Sequence, residues 1–473
     1  MNKLKNVNKV QTTEYSGYHV EVELETRDKQ GVHSGALVLP KVEIENHARI
    51  ATNNLLEMIL ARDNMLLAMK RVISNKGSHG VDGMKYDELR DFVIAHWHTI
   101  KLKLLKGTYN PSPVRRVEIP KPDGGIRLLG IPTVLDRMIQ QAIAQALTKI
   151  YEPTFSNNSY GFRPGRSQHQ AIKQSLEYIN QGNKWVVDMD LEKFFDRVNH
   201  DILIDRISKE VYDQRVLNLI RKYLKSWIMI NGIVTSNAEG TPQGGPLSPL
   251  LSNIMLDEVD KELEIRGHKF CRFADDCNIY VKSRKAGNRV LSSIKRLIEE
   301  ELKLKVNETK SAVDLVSRRK FLGFTFYFAK GAAQIRIHKT SYEKFKSKLR
   351  EITNRNKGIS MDFRMFKLNE MTMGWINYFG IAKARGNIQN IERWIRRRLR
   401  ACMWKQWKLP RARYKNLVKL GIDKYKAYQY SNTRKGYWRI SSSPILSKTL
   451  TNKYLENLGY MSISKRYSKV HGT

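Results

Sequence analysis

The chain has 473 residues, of which 41% are hydrophobic, and its 84 Lys and Arg against 46 Asp and Glu leave a formal net charge of +38. Such a surplus exceeds what solubility requires and implies a polyanionic partner. The apolar fraction at this length argues against a histone-like or ribosomal protein and favours an enzyme that holds nucleic acid.

Three cysteines, Cys271, Cys277 and Cys402, show no C-x-x-C and no paired Cys/His spacing. This excludes a zinc module and a disulfide framework and fits a reducing compartment. The first residues lack the apolar core of a signal peptide, and no apolar run approaches the roughly 18 residues of a membrane span. A cytoplasmic protein without membrane attachment is expected.

Residues 1–52 form a leader of unassigned function; Val20, Val22 and Leu24 alternate with polar residues, compatible with a hairpin or with disorder. Asn53 to Ser74 has helical spacing with an interruption near Asp63, and a second helix is expected over Tyr86 to Lys106. Between them, Asn75 to Gly83 carries three glycines, which permit close approach to a phosphate chain. Arg115 to Arg127 reads as a β-hairpin with Asp123-Gly124-Gly125 at its turn, Lys121 and Arg127 flanking it as candidate triphosphate ligands. Thr133 is the expected N-cap of a helix running to about Ile150. Ser159 to Ser167 is a loop ahead of another helix, where Arg163 and Arg166 are candidates for backbone phosphate.

Trp185 to Val187 begins a buried strand that delivers Asp188 and Asp190 on one face, so spacing alone does not choose between them. Phe195 is a bulky apolar group suited to exclude a ribose 2′-hydroxyl. Gly240 to Asn253 is a glycine- and proline-rich loop, with Gln243 offering donor and acceptor, entering a helix over Leu250 to Leu263. Then Phe273-Ala274-Asp275-Asp276 sits between two strand-like flanks, placing adjacent carboxylates at a turn. A half-buried carboxylate pair needs a cation, and two Mg²⁺ ions held by these acids and one more would perform nucleotidyl transfer. A helix over Asn288 to Leu302 follows, and Leu304–Lys310 with Lys320–Phe326 should supply a strand and hairpin closing the same sheet. Lys310 is placed to protonate a leaving pyrophosphate.

From Ser341 onward 31 Lys and Arg face 7 Asp and Glu. Helices are expected over Phe345–Thr353, Met365–Tyr378 and Ile388–Trp407. The last interleaves Arg393, Arg396, Arg397, Arg398 and Arg400 with Trp394, Ile395 and Leu399, a pattern that reads as one core face and one basic groove wall. Pro410 to Arg413 reads as a linker into a small basic helical unit containing Gly436-Tyr437-Trp438-Arg439.

In combination these motifs resemble the reverse transcriptase/maturase proteins encoded within group II introns. The residues that carry the resemblance are Ile119–Arg127, Gly130–Arg137, Tyr160-Gly-Phe-Arg-Pro164, Asp190–Asp196, Thr241–Pro249, Phe273–Asp276, Leu322–Phe324, Gly374–Gly380 and Arg396–Trp407. Retrons and viral polymerases lack the last two beside the polymerase part. The resemblance implies an α+β right-hand polymerase, with fingers and an antiparallel palm sheet over 53–335. It further implies an α-helical thumb or maturase domain over 336–410 and a basic DNA-binding-like domain over 411–473. It selects Asp190, with Asp275 and Asp276, as the metal-binding catalytic set, and assigns nucleotide contacts to Lys121, Arg127, Phe195 as sugar gate, and Gln243. It implies RNA-directed DNA polymerisation with two Mg²⁺ ions and dNTPs on an RNA template with a DNA or RNA primer. The partners it implies are intron RNA and target DNA, with a homodimer compatible. Phe273 departs from the commoner Tyr but keeps an aromatic. The absence of a His- and Cys-rich cluster after Trp438 makes second-strand cleavage unexpected. A splicing-only maturase, or a domesticated enzyme in repair or defence, would share most of these motifs. Three intact aspartates favour polymerase and maturase activities in one chain.

Overall fold

The computed structural model of the chain describes residues 52–120, 125–226, 228–230, 233–235 and 244–471, with backbone alone at 127, 228–230 and 233–235. Residues 1–51 of the leader, Lys121 and Gln243 therefore lie outside the described residues, as does the Arg127 side chain.

The fingers are built on helix Val134–Tyr151, which is buried nearly all round, Ile139, Ile143, Ala146 and Leu147 included. Thr133 starts it by accepting from the Asp136 amide, as a β-region hydroxyl at an N-cap should. Helix Arg62–Asn75 packs against it, separated from Leu55–Ile59 by a break at Leu60 and Ala61 rather than at Asp63. Strands β1 (Val114–Pro120) and β2 (Ile126–Ile131) pair antiparallel with Ile119 opposite Arg127. Strands β4 (Ile228–Ile230) and β5 (Ile233–Thr235) extend the sheet in the order β2-β1-β4-β5, β4 running parallel to β1.

The palm sheet has the order β6-β7-β3-β8, all neighbours antiparallel: β6 is Lys269–Phe273, β7 Asp276–Val281, β3 Trp185–Met189 and β8 Ala312–Leu315. Helix Arg284–Glu300 packs on β3, β7 and β8, and helix Ser248–Ile265 on β6. The expected strand over 304–310 is reduced to a bridge between Val306 and Leu191, and the sheet is closed by β8 instead. Likewise β9 (Phe324–Ala329) and β10 (Ala332–Ile337) form their own two-stranded sheet rather than joining the palm.

Three helices follow, Lys339–Ile352, Met361–Phe379 and Arg385–Gln406, and the segment expected as a linker opens helix Pro410–Lys419. Proline suits the first turn because its φ is preset and its missing N–H has no acceptor there. Helix Ile463–His471 folds back on the second and third of these helices. The buried apolar residues form two clusters. One, from Leu55 to Val306, fills fingers and palm; the other runs from Tyr160 through β9 and β10 to Tyr467.

Candidate active site

β3 and β7 are in register with Asp188 opposite Asn278 and Met189 opposite Cys277. Asp190 follows the last paired residue of β3, and it shares a cleft with Asp276, whose carboxyl feels its charge. Asp276 opens β7 after a two-residue turn, Ala274-Asp275, in which Ala274 has φ +59°. Asp188, Asp190 and Asp276 line one cleft of about 640 Å³, together with Lys310, Arg319 and His338.

The three acids do not share one environment. Asp188 receives Arg319 Nε at 2.8 Å and Nη2 at 2.5 Å, both on Oδ2, so its charge is met by a guanidinium. Asp190 faces the half-exposed Lys310 at 3.6 Å, and its amide is held by Ser311 Oγ at 3.0 Å. Asp276 is exposed at the cleft, yet the protein packed around its carboxyl, and then the charges of Asp275, Asp188 and Asp190, push it up to about 7. A carboxylate this disfavoured alone is one that a cation would stabilise. The donor set, all carboxylate oxygens, suits Mg²⁺. Asp275 sits at the turn and does not line the cleft. No group of three His, Cys, Asp or Glu among the described residues stands close enough to hold a metal by itself.

The turn rests on a buried polar network that the sequence motifs did not single out. Arg272, 1% exposed, meets Asp260 through Nε (2.7 Å) and Nη2 (2.5 Å). Its Nη1 donates to the Ala274 carbonyl at 2.9 Å and to Asn253 Oδ1 at 3.0 Å. Asn253 in turn donates to the Gly161 carbonyl at 2.8 Å. Arg272 exchanges backbone bonds with the 158–160 segment, since Tyr160 N donates to Arg272 O and Arg272 N to Asn158 O, each at 2.9 Å. A Cβ at Gly161 would lie 2.2 Å from the Ala274 nitrogen, so only glycine lets the two loops touch. The signal was present as Gly161 within Tyr-Gly-Phe-Arg-Pro and as the Arg of Cys-Arg-Phe, but burial is what gives it meaning.

Phe195 is half-buried, edge-on to Phe194 at 5.1 Å, at the start of a short helix, Phe194–Arg197. Of the three glycines in the 75–83 loop two meet protein, since a Cβ at Gly77 would strike Arg137 and at Gly80 the Thr133 backbone, while Gly83 has φ +74° and open space around it. In the loop before helix Ser248–Ile265, a Cβ at Gly244 would strike the Gly130 carbonyl and at Gly245 the Gln140 side chain. The 75–83 loop is tied to the fingers by Arg137 Nη2 on the Ser78 carbonyl (2.6 Å) and by Arg115 on His79 O (2.9 Å).

Several candidate nucleic-acid arginines are engaged within the protein. Arg163 is buried, paired with Glu152 at 2.8 Å and donating to the Ser159 carbonyl, so it is a structural clamp and not a phosphate ligand. Arg166 bonds Asn157 Oδ1 at 2.7 Å. Arg396 pairs with Glu392 at 3.0 Å, and Arg400 Nε donates to the Leu450 carbonyl at 2.9 Å. Arg397 lies 3.9 Å above the Trp438 ring, and Arg398 bonds Thr353. Only Arg393 of this set is exposed. The expected groove wall on Arg385–Gln406 is thus largely a packed face, because the helices after Pro410 and the loop after Ile352 lie against it.

With this architecture in place, two family models match the chain: "Reverse transcriptase (RNA-dependent DNA polymerase)" over residues 119–326 and "Group II intron, maturase-specific domain" over 342–421. Protein YkfC of Escherichia coli (strain K12) is 34% identical over 303 residues, covering 56% of this chain and 80% of that protein. The group II intron-encoded protein LtrA of Lactococcus lactis subsp. cremoris is 38% identical over 251 residues, 52% of this chain and 41% of LtrA. A putative COX1/OXI3 intron 2 protein of Saccharomyces cerevisiae is 31% identical over 277 residues, 56% of this chain and 31% of that protein. The match thus spans about four tenths of the length of LtrA. The palm, its acidic cleft and the helices beyond are those of a reverse transcriptase. The chain belongs to the group II intron reverse transcriptase/maturase family and carries both its RNA-directed DNA polymerase and its maturase domains.

Proposed function

We propose that the chain polymerises DNA on an RNA template at the β3/β7 cleft and also acts as a splicing maturase for its own group II intron RNA. The observation that supports the catalytic part is the cleft shared by Asp188, Asp190 and Asp276, with the Asp276 carboxyl raised to about 7. Asp190 and Asp276 would hold Mg²⁺ in the cleft together with phosphate oxygens of the nucleotide, and Asp275, at the adjoining turn, would join them as the resemblance implies. Bound there, the metals supply Lewis-acid activation of a primer 3′-hydroxyl and charge stabilisation at the α-phosphate and the pyrophosphate.

The chain's own residues position and select. Arg319 neutralises Asp188 and so leaves Asp190 as the acid turned to the reacting groups. Lys310, half-exposed 3.6 Å from Asp190, donates a proton to the departing pyrophosphate. Phe195 excludes a 2′-hydroxyl, while Lys121, Arg127 and Gln243 contact the incoming nucleotide. Arg393, exposed on its helix, contacts RNA backbone. The fingers and palm are assigned to 53–335, the thumb to 336–410 and a DNA-contacting basic unit to 411–473. With target DNA as primer, the same activity supports intron mobility by target-primed reverse transcription. No helix among the described residues is long and apolar enough to cross a membrane, and we place the enzyme in the cytoplasm or nucleoid.

The test is primer extension on an RNA template with Mg²⁺, comparing dNTPs with rNTPs and wild type with Asp276→Ala. Extension with dNTPs that vanishes in the variant supports the reading. Splicing assistance that persists in Asp275→Ala and Asp276→Ala separates the maturase role from polymerisation, and its loss would refute two separable roles. No extension under any condition would leave the maturase role alone.

A further inference from the structure

A second cavity, about 290 Å³, lies where the end of helix Lys339–Ile352 meets helix Arg385–Gln406 and the short helix Tyr437–Ile440. Its walls include Arg350, Arg355, Arg398, Asn354, Asn356 and Trp438, and none of its lining residues is acidic. Glu351, next to Arg350, is paired with Lys357 at 2.9 Å. Three guanidiniums therefore border one small space without a carboxylate among its walls.

The arginines are held in place by groups that do not cancel their charge. Arg398 donates to Thr353 Oγ1 at 2.5 Å and to the Arg350 carbonyl at 3.1 Å, with its guanidinium 5.0 Å from the Trp394 ring centroid. Arg350 approaches the same ring at 5.7 Å, and the exposed Arg355 stands over Tyr437 at 5.6 Å. Lys405 donates to Asn356 Oδ1 at 2.5 Å at the cavity's edge. Burial pushes the Arg398 guanidinium down, and the neighbouring charges of Arg350, Arg355 and Arg364 push it the same way. An anion in the cavity would relieve that repulsion. Trp438 supplies a wall of a different kind: Arg397 covers one face at 3.9 Å, yet the residue is 37% exposed and lines the cavity. The volume is at the lower end of pockets for small ligands, about 300–1,000 Å³, the size of a single nucleotide and too small for a duplex.

We propose that this cavity captures one unstacked nucleotide of a single-stranded nucleic acid, with its phosphate on Arg350, Arg355 and Arg398 and its base against Trp438. The inference rests on the reading of the chain as a nucleic-acid-holding maturase and assigns to that role a site outside the polymerase cleft. It also gives a function to the Gly-Tyr-Trp-Arg motif. Guanidinium for phosphate and an aromatic face for a base are the two elements of sequence-tolerant single-strand binding.

The test measures binding of a fluorescein-labelled single-stranded RNA, the DNA of the same sequence, and a version of each with abasic sites. The proteins are the full chain as wild type, Trp438→Leu, Arg355→Gln and Arg355→Lys. Circular dichroism and thermal melting of each variant serve as the folding control, and Arg355 is exposed enough to be replaced without disturbing the core. Trp438→Leu should weaken binding about tenfold on intact strands and leave binding to the abasic strands unchanged. Arg355→Gln should weaken binding to both and reduce the salt slope by about one, whereas Arg355→Lys retains most of the affinity. Loss on RNA and DNA alike assigns the pocket to either strand, and loss on RNA alone assigns it to RNA. Variants that fold and bind within twofold of wild type would overturn the pocket while leaving the maturase reading intact. A wild-type chain that binds none of the strands would overturn both.

Discussion

Replacing Asp260 by Asn tests whether the buried network beneath the catalytic turn holds that turn in place. Asp260 is 0% exposed and Arg272 2% at their side chains, and the carboxylate accepts from both Nε and Nη2. Removing one partner of such a pair leaves an uncompensated buried charge and should cost roughly 3–5 kcal/mol in urea unfolding. Converting both, Asp260→Leu with Arg272→Met, removes the stranded charge. It still orphans Asn253 Oδ1 and the Ala274 carbonyl, at roughly 1–3 kcal/mol each if no water replaces the donor. The double variant should therefore lose less than the sum of Asp260→Leu and Arg272→Met made singly, a coupling measurable in a double-mutant cycle. Because Arg272 also bonds the Ala274 carbonyl, primer extension by the surviving fold should fall in kcat more than in KM for dNTP. A single-variant cost under about 1 kcal/mol, the value of an exposed pair, would refute the reasoning. So would an additive cycle, or a destabilised protein with unchanged kcat.

Other outcomes are expected from the same geometry. Gly161→Ala, whose Cβ would sit 2.2 Å from the Ala274 nitrogen, should depress extension with little change in RNA affinity; equal loss of both would point to global misfolding. Phe195→Ala should raise rNTP incorporation relative to dNTP in single-nucleotide extension, and an unchanged ratio would remove Phe195 as the sugar gate. Mg²⁺ should raise the melting temperature of wild type more than that of Asp276→Asn, by about 2.7 kcal/mol of stabilisation at a hundredfold excess over Kd. Since the Asp276 carboxyl is raised to about 7, protons compete with the metal below that pH, so Mg²⁺ affinity should fall as pH drops through neutrality; an affinity flat from pH 8 to about 6 would contradict the shift. RNA affinity should fall by about 10³–10⁵ between 50 and 200 mM salt for roughly six to ten neutralised phosphates, and a flat salt response would refute backbone binding.

Much of the polymerase part was legible in the sequence because its signals are local. Thr133 caps its helix, β1 and β2 pair antiparallel as the expected hairpin arms, and the Phe-Ala-Asp-Asp turn joins β6 to β7; Asp123 and Gly124, read as part of the hairpin turn, lie outside the described residues. Alternation placed Asp188 and Asp190 on one face without separating them, and the resemblance selected Asp190. The partner of Asp188, Arg319, was not legible: it lies more than a hundred residues away and meets Asp188 only once β8 and its following turn bring it there. The arginines failed for a related reason. Helical periodicity shows which residues share a face but not what covers it, and Arg396, Arg397 and Arg400 are met by an acid, an aromatic ring and a carbonyl from elsewhere. Glycine misled in the same way: Gly77 and Gly80 permit close approach, and the object approached is protein.

The division of the apolar residues into two clusters has a consequence for synthesis on the ribosome. The cluster that fills the fingers and palm is complete once Val306 has emerged, so it can consolidate while the rest is still being translated. Ile172, Val186, Cys271 and Tyr280 belong instead to the second cluster, whose other members extend to Tyr467. Throughout that interval the nascent palm presents an uncovered apolar back, a natural station for a chaperone. A ribosome pause between those points would prolong the exposure, so codon choice in the thumb-coding stretch becomes a determinant of yield.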